Sequence, residues 1–135
     1  IAVGSPRRAR SVLADQESAI TSGSSEEGLT RQLASMVDAG YRALSENIDD
    51  LGPLLDEAWR VKKSIAPQAS TSDIDDLYAR GLSSGSTGGK LLGAGGGGYL
   101  AFYVPSDQHD RFQNAMPKRL DFRVSERGAG VIHES

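Results

Sequence analysis

The sequence predicts an α+β domain, with helices packed on one face of a mostly antiparallel four-stranded sheet and several helices inserted after the first strand. Three observations predict it. In the first half of the chain, apolar residues recur at three- and four-residue spacing, the pattern of amphipathic helices. In the second half they gather into short runs, Leu91-Leu92 and Tyr99–Val104, followed by the alternating Leu120–Val124. Clusters of Gly, Ser and Pro separate these segments.

Residues 1–4 are apolar and stop at Gly4-Ser5-Pro6, which reads as the tail of a strand entering a turn. A helix is expected from about Arg7 to Ile20, with Ala9, Val12, Leu13, Gln16 and Ile20 on one side. Residues 21–28 have linker-like composition and are expected to be a mobile loop. Leu29, Leu33, Met36, Val37, Tyr41 and Leu44 predict a second helix to Ser45 with one apolar stripe. A third begins near Asp50, capped by Asp49 or Asp50, with Pro53 in its first turn, where a missing N–H costs nothing. Leu51, Leu54, Leu55, Ala58, Trp59 and Lys62 are its expected inner side. A fourth starts at a Ser72 or Asp73 cap and carries Ile74, Leu77 and Tyr78. Tyr99–Val104 is apolar enough to predict a strand buried on both faces. Asp107–Lys118 is expected to be a helix with Ser106 as N-cap, Leu120–Val124 a strand, and Val131–His133 a final edge strand.

A length of 135 residues suits one domain, residues 1–135, with a real core. A net charge of −3 argues against a nucleic-acid partner, because phosphate backbones reward a Lys/Arg excess. Arg7, Arg8 and Arg10 form a small basic cluster that reads as a solvated face. With no cysteine, disulfides, thiolate metal sites and Cys nucleophiles are excluded. His109 and His133 alone do not make a zinc site. No apolar run approaches the about 20 residues that span a bilayer, so no membrane association is expected. No signal peptide is visible, which makes the cytoplasm the expected location. The chain opens on Ile1-Ala2-Val3, inside a strand and without Met, and a preceding segment is therefore expected.

Eight of the 16 glycines fall between Gly85 and Gly98, a concentration that asks for a reason because each ordered glycine loses much backbone entropy. A two-residue hairpin turn needs only one or two glycines. The run Gly93-Ala94-Gly95-Gly96-Gly97-Gly98 is either a bulged hairpin or a place where backbone N–H groups converge on an anion. It satisfies G-x-G-x-x-G, but a dinucleotide fingerprint requires a helix next, and Tyr99-Leu100-Ala101-Phe102 is a strand former. A Walker A loop fails because Ser84 and Leu91 stand where Gly and Ser/Thr are needed. Gly81-Leu82-Ser83-Ser84 reads as the frayed end of the fourth helix.

A glycine loop followed by a strand does match one pattern. Gly89-Lys90-Leu91-Leu92-Gly93-Ala94-Gly95-Gly96-Gly97-Gly98-Tyr99-Leu100-Ala101-Phe102 closely resembles the third conserved motif of the GHMP kinases, the family of galacto-, homoserine, mevalonate and related kinases. Gly4-Ser5-Pro6-Arg7-Arg8-Ala9 is similar to the G-x-x-R-x-A that opens the C-terminal half in the sugar-kinase branch, and Trp59-Arg60-Val61-Lys62-Lys63 to that branch's W-x-x-K-K helix. Within the branch, heptose 7-phosphate kinases come first and fucokinase-like enzymes second.

The resemblance implies a ferredoxin-like C-terminal domain of an ATP-dependent sugar kinase, acting on the anomeric hydroxyl of a heptose 7-phosphate. The active site would lie between two domains. An N-terminal domain absent from this chain would carry the phosphate loop, the Mg²⁺ ligands and the catalytic Asp. Gly93, Ala94, Gly95, Gly96, Gly97 and Gly98 would be the phosphate and substrate loop, consistent with a reaction that depends on positioning and charge stabilisation. Arg7 is either a substrate-phosphate contact or a surface ion pair, and Lys90 either faces the cleft or guards a strand edge. Trp59 is expected in the core, with Lys62 running its stem past the indole. The carboxylates form no pair suited to acid/base work, so no catalytic residue and no metal ligand is assigned within the chain. ATP and Mg²⁺ are the implied cofactors. The sugar phosphate and the chain's own N-terminal domain are the implied partners, and a homodimer is left open. The chain alone is expected to be inactive, with an exposed apolar patch where the other domain docks. The alternative is a stand-alone metabolite-binding or protein-interaction module of the same fold.

Overall fold

Helix starts in this chain are written into short polar side chains. The computed structural model describes residues 1–3, 24–93, 95–116 and 120. Thr71 accepts the Ile74 N–H and caps the helix Ser72–Ser83 (α3 below), one residue before the expected cap. Asn47 accepts the Asp49 N–H and starts a 3₁₀ turn, Ile48–Asp50, that leads straight into the helix Leu51–Ile65 (α2). Asp50 is the N-cap residue of α2 but makes no side-chain cap bond. α3 ends at Ser83, so Gly81-Leu82-Ser83 is its last turn, as its sequence suggested.

The first described helix, α1, is Ser24–Ser45 and so begins inside the stretch expected to be a loop. Its apolar stripe is also split. Ala43 is buried and Leu33 and Met36 are half-buried, whereas Val37, Tyr41 and Leu44 point outward, Tyr41 being 75% exposed. α1 packs on α2 through its small side: a methyl on Gly40 would sit 3.6 Å from Leu54 Cδ2. Close approach of two helices selects the Ala/Gly side over the bulkier one.

Three antiparallel strands are described, β1 (Ala2–Val3), β2 (Gly88–Leu92) and β3 (Gly98–Tyr103), in the order β1-β3-β2. Among the described residues, three α-helices lie between β1 and β2, as expected of a multi-helix insertion. The fourth strand, expected at Leu120–Val124, lies outside the described residues except for Leu120. The helix expected over Arg7–Ile20 and the strand at Val131–His133 lie outside them too. After β3, Ser106 opens a 3₁₀ turn, Ser106–Gln108, rather than capping, and α4 is the short His109–Ala115.

β2 and β3 pair as Gly89↔Phe102, Lys90↔Ala101, Leu91↔Leu100 and Leu92↔Tyr99. Leu91 and Leu100 therefore share the face that meets the helices, where they join Trp59, Ala66, Ala69, Ile74 and Tyr78 in the core. Phe102 sits between Tyr78, stacked at 5.5 Å, and the edge of Phe112, at 5.4 Å. The other face carries Lys90, Leu92, Tyr99 and Ala101. Leu92 is 49% and Tyr99 46% exposed, so β3 is not buried on both faces as its composition suggested. Helices cover one side; on the other, α2 reaches the Gly88–Tyr103 end, where a methyl on Gly52 would lie 3.2 Å from Tyr103 Cδ1, while Leu92 and Tyr99 remain open among the described residues. No helix among them is long and apolar enough to cross a membrane.

The helix layer seats tightly on β2. A methyl on Gly88 would fall 1.9 Å from the Gly52 carbonyl oxygen, so α2 meets the strand backbone to backbone.

Candidate functional site

The β2–β3 connection is the glycine loop, and its backbone takes torsions that side chains disfavour. Gly93, Gly95, Gly96 and Gly98 have φ of 95°, 131°, 72° and 131°. A Cβ at Gly95 would also meet Ala69 Cα at 2.7 Å. Torsion and close approach together make any other residue expensive there.

Two contacts hold the loop. The Gly96 N–H donates to the Ala69 carbonyl at 2.8 Å, which joins the loop to the 3₁₀ turn Pro67–Ala69 after α2. Lys62, in the last turn of α2, donates its ammonium to the Gly93 carbonyl. Gly95 and Gly96 are buried, Gly97 half-buried and Gly93 exposed. The Gly96 N–H is thus committed to the protein, held by the Ala69 carbonyl.

This loop feeds a strand, sits on a Trp-bearing helix that ends in two lysines, and is followed by a short helix. The family model for the C-terminal region of GHMP kinases matches residues 29–121, which include all of these parts. The chain belongs to the GHMP kinase family. Over 96 residues it is 34% identical to the bifunctional fucokinase/GDP-fucose pyrophosphorylase of Arabidopsis thaliana, a match covering 70% of this chain and 9% of that protein. Over 87 residues it is 29% identical to the D-glycero-alpha-D-manno-heptose 7-phosphate kinase of Campylobacter jejuni, covering 64% of this chain and 25% of that enzyme. The chain therefore spans a quarter or less of the length of these relatives.

In this GHMP domain the residues expected at the site separate into three groups. Gly93, Gly95, Gly96, Gly97 and Gly98 form one loop, and Lys90 stands on the open face two rungs from its stem. Arg7 and Ala94 lie outside the described residues. Trp59 is fully buried, as expected; the Lys62 ammonium ends on the Gly93 carbonyl, and it is Lys63 whose Nζ stands 5.6 Å from the ring centroid, paired to Asp75 at 2.9 Å. One residue along a helix is a large rotation, and that rotation sends Lys62 to the loop and Lys63 to α3.

Three contributors were missed in the sequence. Lys62 clamps the loop, Ala69 receives it, and Tyr78 fixes the strand that leads into it. The Tyr78 hydroxyl donates to Asp56 Oδ1 at 2.7 Å and accepts the Gly89 N–H at 3.2 Å; Asp56 is in turn paired with Arg60. Burial first, then the Asp56 hydrogen bond, pushes the Tyr78 phenol well above its usual range, so it stays protonated. Burial, and secondly the charge of Lys90, pull the Lys62 ammonium below its usual value. Lys62 left a trace in the sequence, as part of Trp59-Arg60-Val61-Lys62-Lys63; Ala69 left none.

Next to the loop, Ile1, Leu92, Tyr99, Ala101 and Leu120 line a shallow apolar groove on the open face. Among the described residues, no group of three or more His, Cys, Asp or Glu is placed to hold a metal ion. The donor set here does not suit Mg²⁺, which asks for carboxylate oxygens and water.

Proposed function

We propose that the chain works as the C-terminal part of an ATP-dependent sugar kinase that phosphorylates the anomeric hydroxyl of D-glycero-D-manno-heptose 7-phosphate. The observation that carries this reading is the loop Gly93–Gly98, clamped to α2 and its following turn and emptying into a strand. A rigid glycine loop of this kind suits a reaction that depends on placing two phosphate-bearing reactants. The similarity to a heptose 7-phosphate kinase supports the sugar, and the similarity to a fucokinase makes fucose the second substrate to try.

On this reading ATP and Mg²⁺ are held by an N-terminal domain, which also provides the catalytic base. The apolar groove around Leu92 and Tyr99 is the kind of surface such a domain would cover. Gly93 and Gly95 to Gly98 shape the cleft, and the enzyme acts in the cytoplasm, where its nucleotide is supplied.

The test is a coupled assay of the polypeptide that joins this domain to an ATP-binding half, with Mg-ATP and a panel of heptose 7-phosphate, fucose and galactose. Turnover on the heptose phosphate, with none from the 135-residue chain alone, is expected. Turnover by the chain alone overturns the division of labour. Inactivity of the joined polypeptide on all sugars, with metabolite binding by the chain itself, favours a binding module.

A further inference from the structure

α2 holds the β2–β3 hairpin at successive points. Its Gly52 carbonyl lies against Gly88 at the start of β2, and its Asp56 takes the Tyr78 hydroxyl that binds Gly89. Its Lys62 donates to the Gly93 carbonyl, and the turn that follows it accepts the Gly96 N–H at Ala69. The last two holds differ in what else fixes the loop beside them. Gly95 and Gly96 are buried, and a methyl on Gly95 would strike Ala69. Gly93 is exposed, its φ is 95°, and a methyl there would meet nothing within 4 Å. Glycine reaches positive and negative φ with similar ease, so neither packing around a side chain nor torsional preference fixes the backbone at this position. A peptide group is planar, so whatever grips the Gly93 carbonyl orients the whole plane. The neighbouring cations are placed differently: Arg60 pairs with Asp56 and Lys63 with Asp75. Lys62 is half-buried and makes no such ion pair among the described residues. A half-buried ammonium set on an uncharged carbonyl adds little to the stability of a fold, but it is a direct way to hold a loop.

We propose that Lys62 is a positioning residue for phosphoryl transfer: by gripping the Gly93 carbonyl it keeps the first peptide plane of the glycine loop turned with its oxygen toward α2 rather than toward the anionic reactants. The inference rests on the sugar-kinase reading for the reaction. Phosphoryl transfer gathers negative charge on oxygen, and backbone dipoles help only if they are oriented before that charge develops. A loop free to rotate at Gly93 would offer its carbonyl oxygen, the negative end of the peptide dipole, for part of the time. The accepting hydroxyl is neutral in the ground state, so the effect falls on kcat more than on KM for the sugar. Lys62 does this without touching a reactant. The Ala69 hold has a different task, which is to keep Gly95 and Gly96 on the core. Both holds come from one stretch of chain, the end of α2 and its following turn, so that stretch sets where the loop sits.

The test has two arms. In the ¹⁵N,¹³C-labelled 135-residue chain, the Lys62 Cε/Nζ signals and the Gly93 carbonyl signal report the contact. Lys62→Met should shift the Gly93 carbonyl and leave the Gly96 amide in place, with circular dichroism unchanged. In the joined polypeptide, with Mg-ATP and the sugar it turns over, Lys62→Met should lower kcat at least tenfold with KM for the sugar within threefold. Lys62→Arg keeps a charged donor and should recover kcat to within about threefold of the parent. Lys63→Met removes the same charge one residue away, on the side of Asp75, and should leave kcat within threefold. An unmoved Gly93 signal in Lys62→Met overturns the grip. A smaller loss of kcat in Lys62→Met overturns the positioning role, and so does a tenfold rise in KM at unchanged kcat or an equal loss in Lys63→Met. In each of those cases the parent polypeptide still turns over, and the kinase reading stands. No turnover by the parent on any sugar overturns that reading and, with it, the role in transfer, whatever the Gly93 signal shows.

Discussion

A methyl on Gly88 would fall 1.9 Å from the Gly52 carbonyl oxygen, whereas a methyl on Gly93 would meet nothing within 4 Å. Gly88 has no positive φ and Gly93 has a φ of 95°. At the α2–β2 contact glycine is there for space, and at the mouth of the loop it is there for torsion. Gly95 needs both, with a φ of 131° and Ala69 Cα 2.7 Å from the missing methyl. The comparison teaches that a glycine-rich stretch read as one motif contains positions with different physical reasons, which substitution can separate.

Gly88→Ala should be the most damaging change, because backbone cannot move aside without shifting a whole helix. About 3 kcal/mol of destabilisation is expected, read from a urea midpoint with unchanged m-value. Gly95→Ala should cost about 2 kcal/mol and, unlike Gly88→Ala, should move the Lys62 and Gly93 signals, since it lifts the loop off Ala69. Tyr78→Phe leaves a buried Gly89 N–H without its acceptor and should cost about 1–2 kcal/mol. Gly93→Ala tests torsion without crowding and should cost about 1 kcal/mol. Equal losses for Gly88→Ala and Gly93→Ala would erase the distinction.

The smallest effect is in pH dependence. Lys62 has a folded proton affinity below its ordinary value of 10.5, so within that window the unfolded chain holds more protons. Stability attributable to Lys62 should therefore rise with pH through the window and level off near 10.5, its penalty being fully present below it. Tyr78 works the other way: above its ordinary 10.0 the unfolded chain loses the phenol proton first, and stability falls. Urea midpoints from about pH 8 to pH 11 should show the rise absent in Lys62→Met and the alkaline fall reduced in Tyr78→Phe. A Lys62→Met profile parallel to the parent's would remove the first effect.

Much of this architecture was legible in the sequence. The loop-then-strand order around Gly98-Tyr99 was enough to set aside the dinucleotide fingerprint and to point to the family, because a helix and a strand former differ locally. The end of α3 at Ser83 was readable for the same reason. What could not be read was which side of an element meets a neighbour. Val37, Tyr41 and Leu44 form a good apolar stripe, yet α2 prefers the Ala/Gly side of α1, a choice made by packing distance. Tyr99 and Leu92 are apolar enough for burial, but no helix among the described residues covers their end of the face. Lys62 and Lys63 are indistinguishable in sequence and go to different elements because a helix turns about 100° per residue. The clamp at Ala69 depends on a contact between positions 69 and 96, which no local pattern encodes.

β2 is the last strand of the described sheet, and its outer side is already taken. The Gly89 N–H is bound by the Tyr78 hydroxyl, Gly88 lies against the backbone of α2, and the Gly93 carbonyl holds Lys62. A chain approaching from that side meets α2 at Gly88 and the Tyr78 hydroxyl at Gly89. Among the described residues, the β2 edge is therefore a poor template for strand addition at Gly88 and Gly89, where domain swapping, peptide augmentation or edge-to-edge aggregation would need free backbone groups.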